Sequence, residues 1–399
     1  MPLTEADIEQ IALQWFTECG YACVHGPDIA PGEAAAERES YEQVVLVDRL
    51  RDAIVRCNAG LGRDDVEEVV RRVLRSDAPG LTESNRRFHA MLRDGVTIER
   101  QREDGTIGGV IVRLVDTEHI ARNEFVAVNQ FTVVEAGKNR RPDIVVFVNG
   151  LPLAIIELKN PADAKATIWR AYDQLQTYKA EIPSLLRFNE LLVVSDGTHA
   201  RIGSLTANKE WFKVWRTIDG VSEPPEHSFE LETLIKGVFD KRHLLDLIVN
   251  FVAFEHDPDR DAVHKIVAGY HQFHAVNAAV YETVRASGMN WKSAESLGTF
   301  YAQPNPKAVA GDKRIGVVWH TQGSGKSFTM LFYAAQIARS KAMQNPTVVV
   351  LTDRNDLDDQ LYGQFQRCHE LLGQSPQQAT SALDLRTRLS VASGGVVFT

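Results

Sequence analysis

Two short apolar runs on either side of Asn149-Gly150 constrain the fold of this chain more than any other segment. Asn-Gly between apolar runs is a strong signal for a tight β-hairpin. A three-residue loop centred on Gly150 would set Asp143 opposite Glu157, whereas a two-residue loop would need a bulge to do so. In either case we expect two carboxylates about 5 Å apart at one end of a sheet.

A lysine joins the two acids, because alternation along the second strand places Glu157 and Lys159 on one face. Crowded carboxylates repel unless a hard cation lies between them, and Mg²⁺ favours a few carboxylates with water and phosphate oxygens. We therefore expect Asp143 and Glu157 to bind Mg²⁺ and to promote attack of water on a phosphodiester, with Lys159 stabilising the developing charge. For each acid alone, a solvated side chain at the end of an exposed hairpin is the alternative.

A helix is predicted after the hairpin, beginning at Pro161 with Asn160 as its N-cap and continuing to about Tyr178. Gln174 and Tyr178 are four residues apart, so both project from one helical face and could reach the scissile bond or the DNA backbone. Tyr178 also belongs to an apolar stripe of this helix. A packing role for its ring is an equal alternative.

A phosphate loop is predicted near residue 320. An apolar strand at residues 315–319 leads into His-Thr-Gln-Gly-Ser-Gly-Lys-Ser and then into a helix that begins near Phe328. Glycines let the backbone turn its N–H groups inward, the lysine neutralises phosphate, and the serine ligates Mg²⁺. His320 stands where the general pattern prefers glycine. The expected ligand is ATP, bound by Thr321, Gly323, Ser324, Gly325, Lys326 and Ser327.

The chain has 399 residues, which predicts more than one domain. Strand patterns at residues 347–352 and 395–399 alternate with helical patterns, which indicates a parallel, RecA-like sheet in the second half. The fold class is therefore α/β: a nuclease domain with a mixed sheet and helices, then an incomplete RecA-like domain. We place the endonuclease domain at residues 1–235 and the ATP-binding motor domain, with a helical lead-in, at residues 236–399.

The net charge of −9 argues against a uniformly basic DNA-binding body, so DNA contacts must come from local clusters such as Lys138, Arg140 and Arg141. The four cysteines lack paired spacing, which is typical of reduced thiols. The N-terminal sequence has no leader pattern, and no apolar run is long enough to span a membrane. We expect a soluble, cytoplasmic protein without a membrane partner.

The hairpin residues resemble the PD-(D/E)xK nuclease superfamily, with Pro142-Asp143 and Glu157-Leu158-Lys159 as its motif. Gln174 and Tyr178 are similar to the QxxxY motif of nucleases attached to DNA motors. With the phosphate loop and residues 351–358 (Leu-Thr-Asp-Arg-Asn-Asp-Leu-Asp), nearly the whole chain resembles the restriction (R) subunit of type I restriction-modification enzymes. The resemblance implies cleavage of double-stranded DNA coupled to ATP-driven translocation by a superfamily 2 helicase-like motor, together with methyltransferase (M) and specificity (S) subunits.

Two further residues have a role only through this resemblance. Glu9 resembles an acidic residue that some nucleases of the superfamily place on their first helix, although we favour a surface position for it. Gln272 lies in a stretch similar to the adenine-reading glutamine motif of such motors. An ordinary helical glutamine is an equal alternative there.

The sequence departs from the family pattern because no Asp-Glu box follows the phosphate loop before Thr399. We therefore expect an N-terminal fragment in which the first part of the motor does not sustain ATP hydrolysis or translocation alone. A stand-alone nuclease-helicase of DNA repair or defence, without methyltransferase partners, is the first alternative. A nucleotide-gated scaffold that only holds DNA is the second.

Overall fold

The computed structural model describes residues 4–75, 78–101, 105–160, 167–226, 228–288 and 308–399. The chain divides into two units. The first unit comprises the residues up to 218 and residues 222–249, and the second comprises residues 219–221 and 250–399. The assignment of an endonuclease to residues 1–235 and of a motor to residues 236–399 stays a prediction.

A six-stranded mixed sheet forms the centre of the first unit. In spatial order the strands are β1 (Ala22–His25), β4 (Phe125–Asn129), β7 (Ile144–Val148), β8 (Leu151–Leu158), β9 (Leu191–Ser195) and β10 (Ala200–Gly203). β1 pairs with β4 in parallel and β8 pairs with β9 in parallel, while the other neighbours are antiparallel.

The core of the first unit lies on both faces of this sheet. Every residue of β7, β8 and β9 is buried, which explains why these strands have continuous apolar runs and not an alternating pattern. A charged residue within such a strand is energetically costly unless it is paired or bound to a ligand. Glu157 near the end of β8 is therefore an exception that needs a functional or structural explanation.

Helices cover the sheet, and two small hairpins extend from it. The first helix begins with a capping box in which Thr4 and Asp7 satisfy each other's backbone N–H groups. The helices are α1 (Glu5–Glu18), α2 (Val47–Cys57), α3 (Arg63–Leu74), α4 (Leu81–Asp94), α5 (Ile168–Glu181), α6 (Pro183–Leu186), α7 (Glu230–Val238) and α8 (Lys241–Asn250), and the hairpin strands are β2 (Val96–Gln101), β3 (Ile107–Val112), β5 (Val133–Glu135) and β6 (Lys138–Arg140).

The helix that follows the β7–β8 hairpin is α5. The predicted start at Pro161 lies outside the described residues. In the structure α5 begins at Ile168, with Thr167 in an extended backbone conformation at its N-cap position. The helix continues to Glu181, so Gln174 and Tyr178 lie on it as predicted.

The second unit contains a small parallel sheet and an antiparallel hairpin. Phe251, Phe273 and Phe332 pack together in its core, with ring centroids 4.9 and 5.5 Å from Phe251. The sheet has β13 (Val348–Val350), β15 (Val396–Phe398) and β14 (Gln377–Gln378) in that order, the hairpin has β11 (Val252–Asp257) and β12 (Ala262–Val267), and the helices are α9 (Tyr270–Ser287), α10 (Lys326–Arg339), α11 (Asn355–Arg367), α12 (His369–Leu372) and α13 (Ala382–Arg388).

The predicted strand at residues 315–319 is wrong, because these residues form no strand in the structure. Val317 and Trp319 are each 90% exposed. An apolar run becomes a strand only where a neighbouring strand supplies partners for its N–H and C=O groups. The three-stranded sheet of the second unit does not extend to this segment.

The prediction of an α/β chain is confirmed at the level of architecture. The first unit has a mixed sheet with helices, and the second has parallel strands connected through helices. Among the described residues, no helix combines the length and the apolar character that crossing a bilayer requires.

Candidate functional sites

The hairpin of β7 and β8 brings Asp143 and Glu157 together through a two-residue turn and a bulge. Asn149 and Gly150 both have positive φ, 53° and 77°, which is the geometry of a type I′ turn. The register then shifts by one residue between Val146 and Phe147, so that Ile144 pairs with Ile156. Of the two alternatives that the sequence left open, the structure therefore has the two-residue loop with a bulge.

The Asp143 carboxylate spans the two strands at the end of the hairpin. Its Oδ2 accepts a hydrogen bond from the Leu158 backbone N–H at 2.7 Å. Asp143 is 8% exposed and Glu157 is fully buried. The two acids thus form a buried pair, with Asp143 on the side that solvent can reach.

Lys159 lies on the same face as Glu157, which confirms the predicted alternation. Its Nζ donates to Glu157 Oε1 at 2.9 Å and to the Leu158 carbonyl oxygen at 2.6 Å. The Lys159 backbone N–H donates to the Ser195 carbonyl oxygen of β9 at 2.8 Å, which fixes the lysine at the end of the sheet. The cluster of two acids and one lysine is therefore formed by backbone pairing and does not depend on flexible loops.

Helix α5 adds Gln174 and Tyr178 to the cluster. The Tyr178 hydroxyl donates to Glu157 Oε2 at 3.1 Å and accepts a hydrogen bond from Gln174 Nε2 at 2.6 Å. The Tyr178 ring is also buried, together with Ala171 and Leu175 of the same helix. Tyr178 therefore combines the two alternatives, because its ring packs in the core and its hydroxyl contacts Glu157.

Glu9 is buried and not on the surface, so our expectation for it was wrong. It is 8% exposed, and its carboxylate accepts hydrogen bonds from Asn129 Nδ2 at 2.6 Å and from Gln130 Nε2. Asn129 is the last residue of β4 and Gln130 follows it, and the Gln130 N–H donates to the Asp143 carbonyl oxygen at 2.9 Å. A signal was present in the sequence, because Glu9 shares the buried face of α1 with Ala12.

Burial dominates the electrostatics of the acid pair. Burial raises the pKa of Asp143 to about 6. The negative charges of Glu5 and Glu9 act in the same direction, while the Leu158 hydrogen bond and the positive charge of Lys159 oppose the rise. Burial, followed by the Asp143 charge, raises the pKa of Glu157 to about 8. Burial lowers the pKa of Lys159, but the two carboxylates outweigh this effect and its net pKa is raised. Lys159 is thus a cation at neutral pH.

This donor set fits a divalent cation with oxygen ligands. Two buried carboxylates face one lysine, so a further positive charge would lower the energy of their ionised forms. Within the described part of the chain, no group of three or more His, Cys, Asp or Glu side chains is arranged as a metal site. Mg²⁺ commonly uses one or two carboxylates and completes its coordination with water and substrate phosphates. Asp143 and Glu157 match that requirement.

The raised pKa values predict that Asp143→Asn stabilises the protein at pH 8 in EDTA. From the ordinary values of 3.8 and 4.5 up to about 6 and 8, the folded protein binds more protons than the unfolded chain. The free energy of unfolding therefore falls as pH rises through this window. Asparagine has no proton to lose, so the substitution recovers part of that free energy. We expect a higher melting temperature at pH 8, by about 2–4 °C per kcal/mol regained, and a smaller rise at pH 5.

Differential scanning calorimetry at the two pH values measures this effect. Asp52→Asn is the matched control, since Asp52 is an exposed acid of the same unit. Equal shifts at pH 5 and pH 8 would show that the acid pair is not under electrostatic strain.

The predicted phosphate loop lies at the start of α10 in the second unit. Gly323 and Gly325 have φ of +80° and +76°, a left-handed conformation that side chains disfavour, and Gly325 is the N-cap of α10. Lys326 is the first residue of the helix and Ser327 follows it. The first N–H groups of a helix have no partner within it and attract anions. Thr321 and Ser324 complete the turn through a backbone hydrogen bond at 3.4 Å.

Two residues of α9 contact this loop. Gln272 donates from Nε2 to the Gly325 carbonyl oxygen at 3.0 Å, and its Oε1 accepts from the Gly269 N–H at 2.9 Å. His271 Nε2 lies 2.9 Å from the Ser324 carbonyl oxygen. Gln272 is therefore adjacent to the phosphate loop, while a contact between Gln272 and an adenine base stays a prediction.

The fold and the two sites define an α/β protein with a buried carboxylate–lysine centre in one unit and a phosphate loop in the other. Residues 2–211 match the family described as type I restriction enzyme R protein N terminus, and residues 271–399 match the SWI2/SNF2 ATPase family. The chain belongs to the type I restriction enzyme R protein family.

Curated relatives agree with this family. The chain is 41% identical to the type I restriction enzyme HindI endonuclease subunit of Haemophilus influenzae, over 100% of this chain and 36% of the relative. It is 34% identical to the putative type I restriction enzyme MjaIXP endonuclease subunit of Methanocaldococcus jannaschii, over 98% of this chain and 36% of the relative. The chain thus spans about a third of the length of these relatives.

Proposed function

We propose that this chain provides the nuclease centre and the first part of the ATP motor of a type I restriction endonuclease R subunit. Its reaction is the hydrolysis of phosphodiester bonds in double-stranded DNA. The observation that carries this proposal is the buried cluster of Asp143, Glu157 and Lys159, in which Tyr178 donates to Glu157. The family of the chain and the names of its relatives as endonuclease subunits support it. In this proposal the first unit has the PD-(D/E)xK fold.

Each residue of the cluster has its own role in this proposal. Asp143 and Glu157 would hold Mg²⁺, which supplies Lewis acidity and a lowered pKa for water when it is bound. Lys159 places an ammonium group beside the acids, where it stabilises the negative charge that develops on the phosphate. Gln174 and Tyr178 orient the Glu157 carboxylate through their chain of hydrogen bonds. We include Glu9 as a third acid near the centre, since its charge acts on Asp143.

The second unit would bind ATP in this proposal and would have a RecA-like fold. The parallel pairing of β13 with β15 and the glycine-rich turn before α10 support this. Lys326 would neutralise phosphate charge, Ser327 would ligate Mg²⁺, and the turn from Thr321 through Gly325 would surround the phosphates. In the complete enzyme, ATP-driven translocation would bring DNA to the nuclease centre, and M and S subunits would select the site.

Tyr178→Phe tests the proposed positioning of Glu157. The change removes one hydroxyl and leaves the ring, so the core should keep its packing while Glu157 and Gln174 each lose a partner. Loss of such an orienting hydrogen bond lowers activity by roughly 10–100-fold, and we expect the loss in kcat with an unchanged KM for plasmid DNA. Tyr172→Phe is the matched control on the same helix, because the Tyr172 hydroxyl donates to the Ala207 carbonyl oxygen. Equal rates for the two variants would remove Tyr178 from the mechanism.

The proposed partners are tested separately from the chemistry. The chain is co-expressed with M and S subunits of a type I system and is followed by size-exclusion chromatography with light scattering. Co-elution with M and S supports the R-subunit assignment. Nuclease activity without any association would favour the stand-alone nuclease-helicase.

A further inference from the structure

Arg38 of the first unit is a buried cation without a hydrogen-bonding partner. It is 4% exposed, and within the described residues none of its three guanidinium nitrogens has a hydrogen-bond partner. Burial lowers the pKa of Arg38 to about 10, so it still carries a positive charge at neutral pH. A buried charge that is neither paired nor hydrogen-bonded is strongly unfavourable. Such a group in a folded protein indicates a ligand.

Two aromatic rings hold the guanidinium in place. Arg38 Cζ lies 3.9 Å from the ring centroid of Phe131 and 5.4 Å from that of Tyr41. Stacking on aromatic rings stabilises a cation and orients its plane, but it satisfies none of the N–H donors. The donors are therefore pre-oriented for a ligand with several acceptor oxygens.

Arg38 lines a pocket of about 750 Å³ in the first unit. Arg187 lines the same pocket and donates from Nη2 to the Val73 carbonyl oxygen at 2.7 Å. A pocket of this size accommodates a phosphate group with its flanking sugar. A guanidinium prefers phosphate or carboxylate among anions, because two parallel N–H groups match two oxygens.

The acidic residues of the pocket do not neutralise Arg38. Glu37 pairs with Arg49, and Asp48 pairs with Arg51 at 2.7 Å. Two more acids that line the pocket, residues 39 and 42, are exposed, so solvent screens their charges.

Two contacts locate the Arg38 segment in the first unit. The Tyr41 carbonyl oxygen accepts from the Val134 N–H at 3.1 Å, so the segment packs beside β5. The pocket extends from there toward the turn of the β7–β8 hairpin, because Leu46, between the lining residues Val45 and Val47, donates its N–H to the Gly150 carbonyl oxygen at 2.9 Å. Asp143 and Glu157 lie at the other end of that hairpin.

We propose that Arg38 and its pocket bind a phosphate group of the DNA backbone. The choice of DNA rests on the proposed function, whereas the anion site itself does not. Free phosphate has the same chemistry, and the experiment separates the two sources.

Arg38→Met is the first variant. Methionine fills the space between the rings, and removal of the unpaired charge outweighs the lost attraction to the rings. We expect the melting temperature in phosphate-free buffer to rise by about 2 °C or more. A purely structural stack predicts the opposite sign. Arg113→Met is the matched control, because Arg113 is an exposed arginine of the same unit.

DNA binding is measured on the same variants in an Asp143→Ala background with EDTA, so that no cleavage is needed. Fluorescence anisotropy of a labelled duplex is recorded over a series of salt concentrations. Each lost phosphate contact lowers the slope of log K against log salt by about 0.9. We expect Arg38→Met to lose about 0.9 in slope and to bind roughly 10-fold more weakly. Arg38→Lys keeps the charge and should keep the slope.

Inorganic phosphate is the third probe. Under the proposal it raises the melting temperature of the unsubstituted chain at millimolar concentration and does not affect Arg38→Met. Phosphate protection with an unchanged DNA slope in Arg38→Met would overturn the proposal, since the site would then bind free phosphate. A lower melting temperature of Arg38→Met with an unchanged slope would overturn it as well. These readouts do not involve cleavage, so a failure of the nuclease assignment would be recognised separately.

Discussion

Glu157→Gln should lower Mg²⁺-dependent cleavage of DNA by about 10³-fold or more. The amide keeps the size of the side chain and can still accept the Tyr178 hydrogen bond, but it removes the negative charge that Mg²⁺ requires. It also leaves Lys159 without its carboxylate partner, which at present accepts from Nζ at 2.9 Å. Because Glu157 is fully buried, solvent cannot replace the lost carboxylate ligand unless the core opens. The measurement is the single-turnover rate on supercoiled plasmid.

Glu33→Gln is the control for this change, since Glu33 is an exposed glutamate of the same unit. Both variants should bind duplex DNA in EDTA like the unsubstituted chain. If Glu157→Gln cut plasmid at the rate of the control, Glu157 would have no role in the chemistry.

Lys326→Ala should weaken ATP binding by roughly 10–100-fold, because hydrogen bonds to a charged group contribute about 1.5–3 kcal/mol. Lys326 is exposed at the first position of α10, directly after the left-handed Gly325. Its removal leaves the backbone N–H groups of the turn in place, so residual binding is expected and complete loss is not. Isothermal titration calorimetry with ATP and Mg²⁺ measures the change.

Lys341→Ala controls for the loss of one positive charge, since Lys341 is an exposed lysine of the same unit. The Asp143→Ala variant should bind ATP with unchanged affinity, because its site lies in the other unit. Loss of ATP binding in a folded Asp143→Ala protein would contradict the independence of the two sites.

The sequence predicts the convergence of the acids but not the geometry that produces it. A three-residue loop and a two-residue loop with a bulge give the same facing pair, and both satisfy the apolar pattern of the two strands. The structure has the bulge beside Pro152, which pairs with Phe147. Proline cannot donate to a ladder and is tolerated at bulges, so Pro152 was a usable signal for the irregularity.

Other features depend on contacts that are distant in sequence. Glu9 is buried because Asn129 and Gln130, about 120 residues away, supply amide donors to its carboxylate. The segment at residues 315–319 has the composition of a strand, yet composition cannot show whether a partner strand lies beside it. Arg38 has no local signal at all, since only the fold places it between Tyr41 and Phe131.

The most direct test of the nuclease assignment is cleavage of supercoiled plasmid by the unsubstituted chain and by Asp143→Ala, with Mg²⁺ and with EDTA. Each protein is measured alone and again with M and S subunits and ATP. We predict Mg²⁺-dependent cleavage by the unsubstituted chain that EDTA and Asp143→Ala each abolish. Cleavage that persists in the variant, or no cleavage under any of these conditions, would contradict the account.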